Sequence, residues 1–200
     1  LKKGVFEDLQ KKIDKFNPDI IFFSALSSHI HGEGEYVNIQ NGYDLIKKIN
    51  KNKKSYLVTG GLQATSAPKI VLEKMPDIDY LIKGESELEL LSIANKIDKK
   101  ISFDEVSGLA FFDKKNFISN KRQEIIEDLD VLSPYDYSIF EPQAFLKKYK
   151  GTVYKGVDYE LSRGCIYSCS YCVETIIQKY YDFNDSSNKT GAIKNFKKYS

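Results

Sequence analysis

Apolar residues recur at helical spacing near the start of the chain, where Phe6, Leu9, Ile13 and Phe16 share one face. Asn17-Pro18 follows, and the spacing predicts a helix that stops before it. The segment "IIFFSALSS" at 20–28 masses four apolar residues and then turns to small polar ones. A buried parallel strand reads this way as it emerges into a loop at its carboxyl end. "SHIHGEGEYVNIQNG" is Gly-rich and aperiodic, hence a loop. "YDLIKKINKN" reads as a short amphipathic helix, and "SYLVTGG" as a second strand ending in Gly60 and Gly61. Pro68 suits the first turn of a helix over "APKIVLEKM". "DYLIKGE" gives a third strand, and Ser86 with Glu89 makes a capping box for the helix "ELELLSIANKI".

Helices and strands alternating at these intervals imply right-handed crossovers and an α/β fold, with a parallel sheet covered on both faces. From Val106 the rhythm changes. "VSGLAFFDKKNFIS" reads as two short strands around a polar turn, an antiparallel edge to the sheet. The following stretch, with Pro134 and Pro142 and no sustained period, reads as a connector. "VDYELSRG" then alternates and delivers the chain to a cluster of cysteines. These shifts divide the chain into an α/β domain at 1–104, an edge hairpin and connector at 105–157, and the start of another domain at 158–200.

Charge changes this picture little. Thirty Lys and Arg stand against 28 Asp and Glu, so the net +2 gives no argument for nucleic acid. No apolar run approaches the roughly 20 residues of a membrane helix, and nothing at the start resembles a signal peptide. The chain opens on Leu1 and stops at "NFKKYS" without a closing element, which is the expectation for part of a longer protein.

All three cysteines lie within "LSRGCIYSCSYCVE", spaced Cys165-x3-Cys169-x2-Cys172. Three cannot all pair with one another and no sign of export is present, which leaves metal or redox chemistry in a reducing, cytoplasmic setting. Thiolates this close can converge on one object, and soft sulfur selects zinc or iron–sulfur clusters. Structural zinc normally takes four ligands. Three thiolates on a cubane of four irons leave one iron for substrate or cofactor. Three buried thiols, or a zinc knuckle, are the other readings of the same residues. His29 and His31 stand on the Gly-rich loop, where solvent exposure is the ordinary expectation.

The stretch resembles the signature loop of radical S-adenosylmethionine (radical SAM) enzymes, C-x3-C-x-(aromatic)-C, with Tyr171 as the aromatic. The resemblance implies that Cys165, Cys169 and Cys172 hold a [4Fe–4S] cluster whose open iron chelates S-adenosylmethionine. It further implies reductive cleavage to a 5′-deoxyadenosyl radical, with Tyr171 near the adenine. Radical chemistry of this kind is supplied by cofactors rather than side chains.

Upstream, Ser24-x-Leu26 followed by Gly60-Gly61 resembles the S-x-L…GG pattern of cobalamin-binding Rossmann-like domains. "PDIIFFSAL", "VTGGLQATSAP", "DIDYLIKGESE" and "DLDVL" run in the order found in cobalamin-binding radical SAM proteins. The resemblance covers essentially the whole chain. It implies that Ser24, Leu26, Gly60 and Gly61 embrace the cobalamin tail, with Thr65, Gly84 and Glu85 on the same side. It also implies that residues after 158 begin a partial (β/α) barrel with its first strand and cluster loop. Two departures stand out. The gap between Leu26 and Gly60 is longer than in the best-known cobalamin domains, and the D-x-H-x-x-G motif with a lower axial histidine is absent.

The leading expectation is the amino-terminal part of a cobalamin-dependent radical SAM enzyme. Its chemistry would be methyl transfer to an unactivated carbon or phosphorus centre, or the ring-forming oxidation of a tetrapyrrole side chain that occurs in relatives. Its partners would be a small-molecule substrate and an electron donor such as flavodoxin or ferredoxin. The alternatives are a radical enzyme whose front domain docks without cobalamin, and a non-catalytic module with a zinc or redox-sensing loop.

Overall fold

The computed structural model describes residues 4–24, 42, 44–51, 54–157, 161–165, 167, 169–182 and 191–192, the last two by backbone alone. It divides into two compact units, one of Leu1–Glu124 with Ser168–Asp182 and one of Ile125–Tyr167 with Phe183–Ser200.

In the first unit, α1 (Val5–Phe16) ends where Asn17 enters the left-handed region at φ 50° and its N–H bonds the Ile13 carbonyl at 2.7 Å. Three strands follow, β1 (Ile20–Ser24), β2 (Tyr56–Gly60) and β3 (Tyr80–Ile82), and they pair in parallel as the pattern predicts. The hairpin of β4 (Leu109–Asp113) and β5 (Asn116–Ser119) extends the sheet antiparallel, giving the order β1-β2-β3-β4-β5. The crossover between β2 and β3 carries α2 (Leu62–Ser66) and α3 (Pro68–Lys74, with the proline in its first turn), and α4 (Glu87–Asp98) connects β3 to the antiparallel β4.

Strand alternation sorts the core onto two faces. Leu57, Leu81 and Ala110 pack with Ile46, Val71, Leu72 and Met75 on one side. Val58, Ile82 and Leu109 pack with Ile93, Phe103 and Val106 on the other. Full burial of each aliphatic side chain contributes roughly 1.5–3 kcal/mol. Both faces of β2 and β3 are therefore covered, whereas β1, the outer strand of the order, has no buried residue and leaves Phe22 exposed. The expectation of a buried strand fails there; the fold is α/β with a mixed sheet.

Two local expectations change. Ser86 does precede α4, but its backbone is helical (φ −108°, ψ −10°) and its side chain makes no cap bond. Its Oγ instead faces Gly60, and its N–H donates to Glu87 Oε2 at 3.1 Å, so no capping box with Glu89 forms. The helix expected over "YDLIKKINKN" is helical at 44–46 and then passes into a turn.

The second unit holds short 3-10 turns at Leu129–Val131, Tyr137–Ile139 and Pro142–Phe145. It also holds a hairpin of β6 (Leu146–Tyr149) and β7 (Thr152–Lys155) within the segment read as connector. β8 (Ser162–Arg163) pairs antiparallel with β9 (Gly191–Ala192). β4 bonds to β3, so the edge hairpin continues the sheet of the first unit.

Candidate functional site

The carboxyl ends of β1, β2 and β3 bring Ser24, Gly60, Gly61, Thr65, Gly84 and Glu85 to one edge of the sheet. Ser24 is exposed and sits in register with buried Gly60. A Cβ on Gly60 would lie 2.5 Å from Ser86 Oγ and 3.2 Å from the Phe22 ring, so the glycine already serves close packing within the protein. Gly61 caps α2 with φ 103°, a conformation that favours glycine. Thr65 is 7% exposed; its hydroxyl donates to the Gly61 carbonyl at 2.9 Å and accepts the Gly84 N–H at 2.8 Å. Leu26, His29 and His31 lie outside the described residues.

Beyond β3 the chain is crowded. Lys83 is buried, donates to Ser119 Oγ at 2.7 Å and to the Asn120 carbonyl at 3.1 Å, and burial lowers its ammonium below the usual lysine range. Glu85 donates its N–H to Tyr181 Oη at 3.0 Å, and Gln123 Nε2 donates to the Glu85 carbonyl. The nearby Glu89 carboxyl is pushed up to about 7, chiefly by burial and further by Glu85 and Glu87, against a lowering bond from its own N–H.

Tyr181 directly follows α5 (Glu174–Tyr180), the helix that leads out of the cysteine loop. At the other end of α5, the Cys172 N–H bonds the Cys169 carbonyl at 3.0 Å and Thr175 Oγ1 donates to that carbonyl at 2.8 Å. This closes the Cys169–Cys172 segment into a turn on the helix. Tyr171 at its tip is 91% exposed, and hydrogen bonding to Cys169 raises its phenol above the ordinary range.

None of the three cysteines is in a disulfide, and all are of intermediate exposure. Cys169 and Cys172 belong to the first unit and Cys165 to the second, where its sulfur accepts the Tyr167 N–H at 3.4 Å. Among the described residues, no three His, Cys, Asp or Glu side chains are gathered as a metal-binding set. The donor chemistry nonetheless fits an iron–sulfur cluster: three sulfur ligands at short spacing, with no disulfide consuming them.

α5 and its contacts were not foreseen from the sequence. Val173, Ile177 and Tyr180–Tyr181 recur at helical spacing, a signal overshadowed by the cysteines beside it. A groove of about 690 Å³, lined by Tyr56, Leu72, Ile78, Tyr80, Phe111 and Lys114 among others, includes the starts of β2 and β3 rather than the candidate edge. Among the described residues no helix is long and apolar enough to cross a membrane.

No family profile matches the chain. Among curated proteins, an uncharacterized methyltransferase of Pyrococcus horikoshii is 26% identical over 174 residues, covering 86% of this chain and 35% of that protein. The anaerobic magnesium-protoporphyrin IX monomethyl ester cyclase of Cereibacter sphaeroides is 26% identical over 183 residues, covering 90% of this chain and 28% of the cyclase. The chain thus spans about a third of the length of these relatives. In fold it is similar to the radical S-adenosylmethionine methyltransferase TsrM of Kitasatospora setae, solved with cobalamin and a [4Fe-4S] cluster bound. That likeness has a TM-score of 0.60 at 16% identity and covers 96% of this chain and 36% of TsrM.

Proposed function

The chain is a relative of the cobalamin-binding radical SAM proteins, and from that premise we propose that it forms the front part of a radical methyltransferase. The acceptor is an unactivated carbon or phosphorus centre of a small molecule. The observation that carries this reading is the Cys165-x3-Cys169-x2-Cys172 run of partly exposed thiols, none in a disulfide, with exposed Tyr171 at its tip.

In this reading Cys165, Cys169 and Cys172 hold the [4Fe–4S] cluster, and Tyr171 offers its ring to the adenine of S-adenosylmethionine. When bound, the cluster and S-adenosylmethionine supply a carbon-centred oxidant for C–H bonds, and cobalamin supplies a methyl carrier. Ser24, Leu26, Gly60 and Gly61 line the approach of the cobalamin tail, where small residues at strand ends admit a ligand close to the backbone. Thr65, Gly84 and Glu85 act behind them and hold the edge in shape. The electron comes from a cytoplasmic donor of the flavodoxin or ferredoxin class.

A second reading has specific support. The Thr65 hydroxyl and the Glu85 N–H are spent on bonds within the protein, and Gly60 is hemmed in by Ser86 and Phe22. An edge so self-satisfied suits a docking domain that keeps the fold without the corrinoid. Anaerobic reconstitution of the full-length protein with iron and sulfide, followed by equilibrium binding of hydroxocobalamin, separates the two. Saturable binding near one equivalent supports the methyltransferase; a cluster without corrinoid binding supports docking; zinc without iron overturns both.

A further inference from the structure

We propose that α5 is a strut, fixed at its far end by Tyr181 and Gln123, that positions the Cys169–Cys172 turn against the carboxyl end of β3. This rests on the reading of the cysteines as one ligand set and adds positioning residues to it. α5 has only seven residues, and isolated helices shorter than about 12–15 residues are marginal in water. Its order must come from tertiary contacts, both its packing against α2 and what grips its ends.

The near end carries the turn itself. Besides the two bonds to the Cys169 carbonyl, the Thr175 N–H bonds the Cys172 carbonyl at 3.2 Å. Movement of the first turn of α5 therefore moves both cysteines.

The far end is built into the sheet. Tyr181, 8% exposed, accepts the Glu85 N–H at 3.0 Å and Gln123 Nε2 at 3.2 Å on its hydroxyl. Gln123, 5% exposed, binds the Glu85 carbonyl through the same amide nitrogen. Tyr180 Oη donates to the Lys83 carbonyl at 3.3 Å while the Lys83 ammonium lies 5.6 Å from its ring centroid. Arg122 pairs with Asp182 at 2.8 Å. Gly84 makes the approach possible, since a Cβ there would overlap the Tyr181 hydroxyl and stand 2.6 Å from Gln123 Nε2. A tyrosine, not a phenylalanine, is needed at 181, because its oxygen is the acceptor for a part-buried backbone N–H.

The test is made on the full-length apoprotein under anaerobic conditions, with a short pulse of iodoacetamide and each cysteine quantified separately. Cys165, in the other unit, is the reference within the same molecule. In Tyr181→Phe and in Gln123→Met, alkylation of Cys169 and Cys172 rises at least about threefold while Cys165 stays unchanged, because local opening exposes only the thiols on the strut. A selective rise in either variant supports the strut. In both, a rise shared by Cys165 or no rise at all overturns it, since general destabilisation loosens all three thiols alike. Iron uptake by the unmodified protein is measured in parallel. Failure to take up iron defeats the cluster reading and leaves the alkylation comparison intact.

Discussion

The Thr65 hydroxyl accepts the Gly84 N–H at 2.8 Å and donates to the Gly61 carbonyl at 2.9 Å, so one buried side chain ties the ends of β2 and β3 together. Thr65→Val keeps the shape and removes both bonds. The loss is expected to be about 1–3 kcal/mol, the cost of leaving a part-buried donor unpaired. Thr65→Ser keeps the hydroxyl and should recover most of it. Urea unfolding midpoints of the two variants decide the matter; equal stability for both would show that the tie contributes nothing.

Gly84→Ala probes the same edge from the backbone. Gly84 has φ 83° and no room for a Cβ beside Tyr181 and Gln123. Left-handed strain and steric overlap together predict a destabilisation of at least about 2 kcal/mol. Thermal unfolding measures it, and an unchanged midpoint would contradict the tight contact.

Glu89 makes stability depend on pH. Its folded-state carboxyl, pushed up to about 7, binds a proton that the unfolded chain has released above the ordinary glutamate range. Stability therefore falls as pH rises from about 4.5 through about 7, then levels off. Glu89→Gln is expected to be more stabilising at pH 8 than at pH 5. Denaturation curves at the two pH values check the sign, and a variant that gains most at pH 5 contradicts it.

Ile82 is fully buried in the face that α4 covers. Ile82→Ala should cost about 2–5 kcal/mol, from lost transfer energy and the cavity left behind. A cost below about 1 kcal/mol, read from chemical denaturation, would mean that this face is not a packed core.

Legibility in the sequence followed the range of the interaction. Ile20–Ser24, Tyr56–Gly60 and Tyr80–Ile82 were readable as parallel strands because local apolar runs ending in small residues encode them directly, though Ile20–Ser24, at the edge of the sheet, is not buried. The β4–β5 edge was readable from its polar turn. Ser86 and Glu89 had the right spacing for a capping box, but close packing against Gly60 turned the serine elsewhere, a tertiary demand that spacing does not carry. The contact between Glu85 and Tyr181 joins residues 96 positions apart, and no local pattern announces it. The candidate cobalamin edge was legible as a set of strand ends, yet not as a place where Thr65 and Glu85 are occupied by their own neighbours.

The central claim is that Cys165, Cys169 and Cys172 act as one ligand set, and iron and acid-labile sulfide content after anaerobic reconstitution of the full-length protein tests it most directly. The account predicts about four irons and four sulfides per chain, with Cys165→Ala, Cys169→Ala and Cys172→Ala each losing them. An intact protein without iron, or three alanine variants that keep the metal content of the parent, would contradict it.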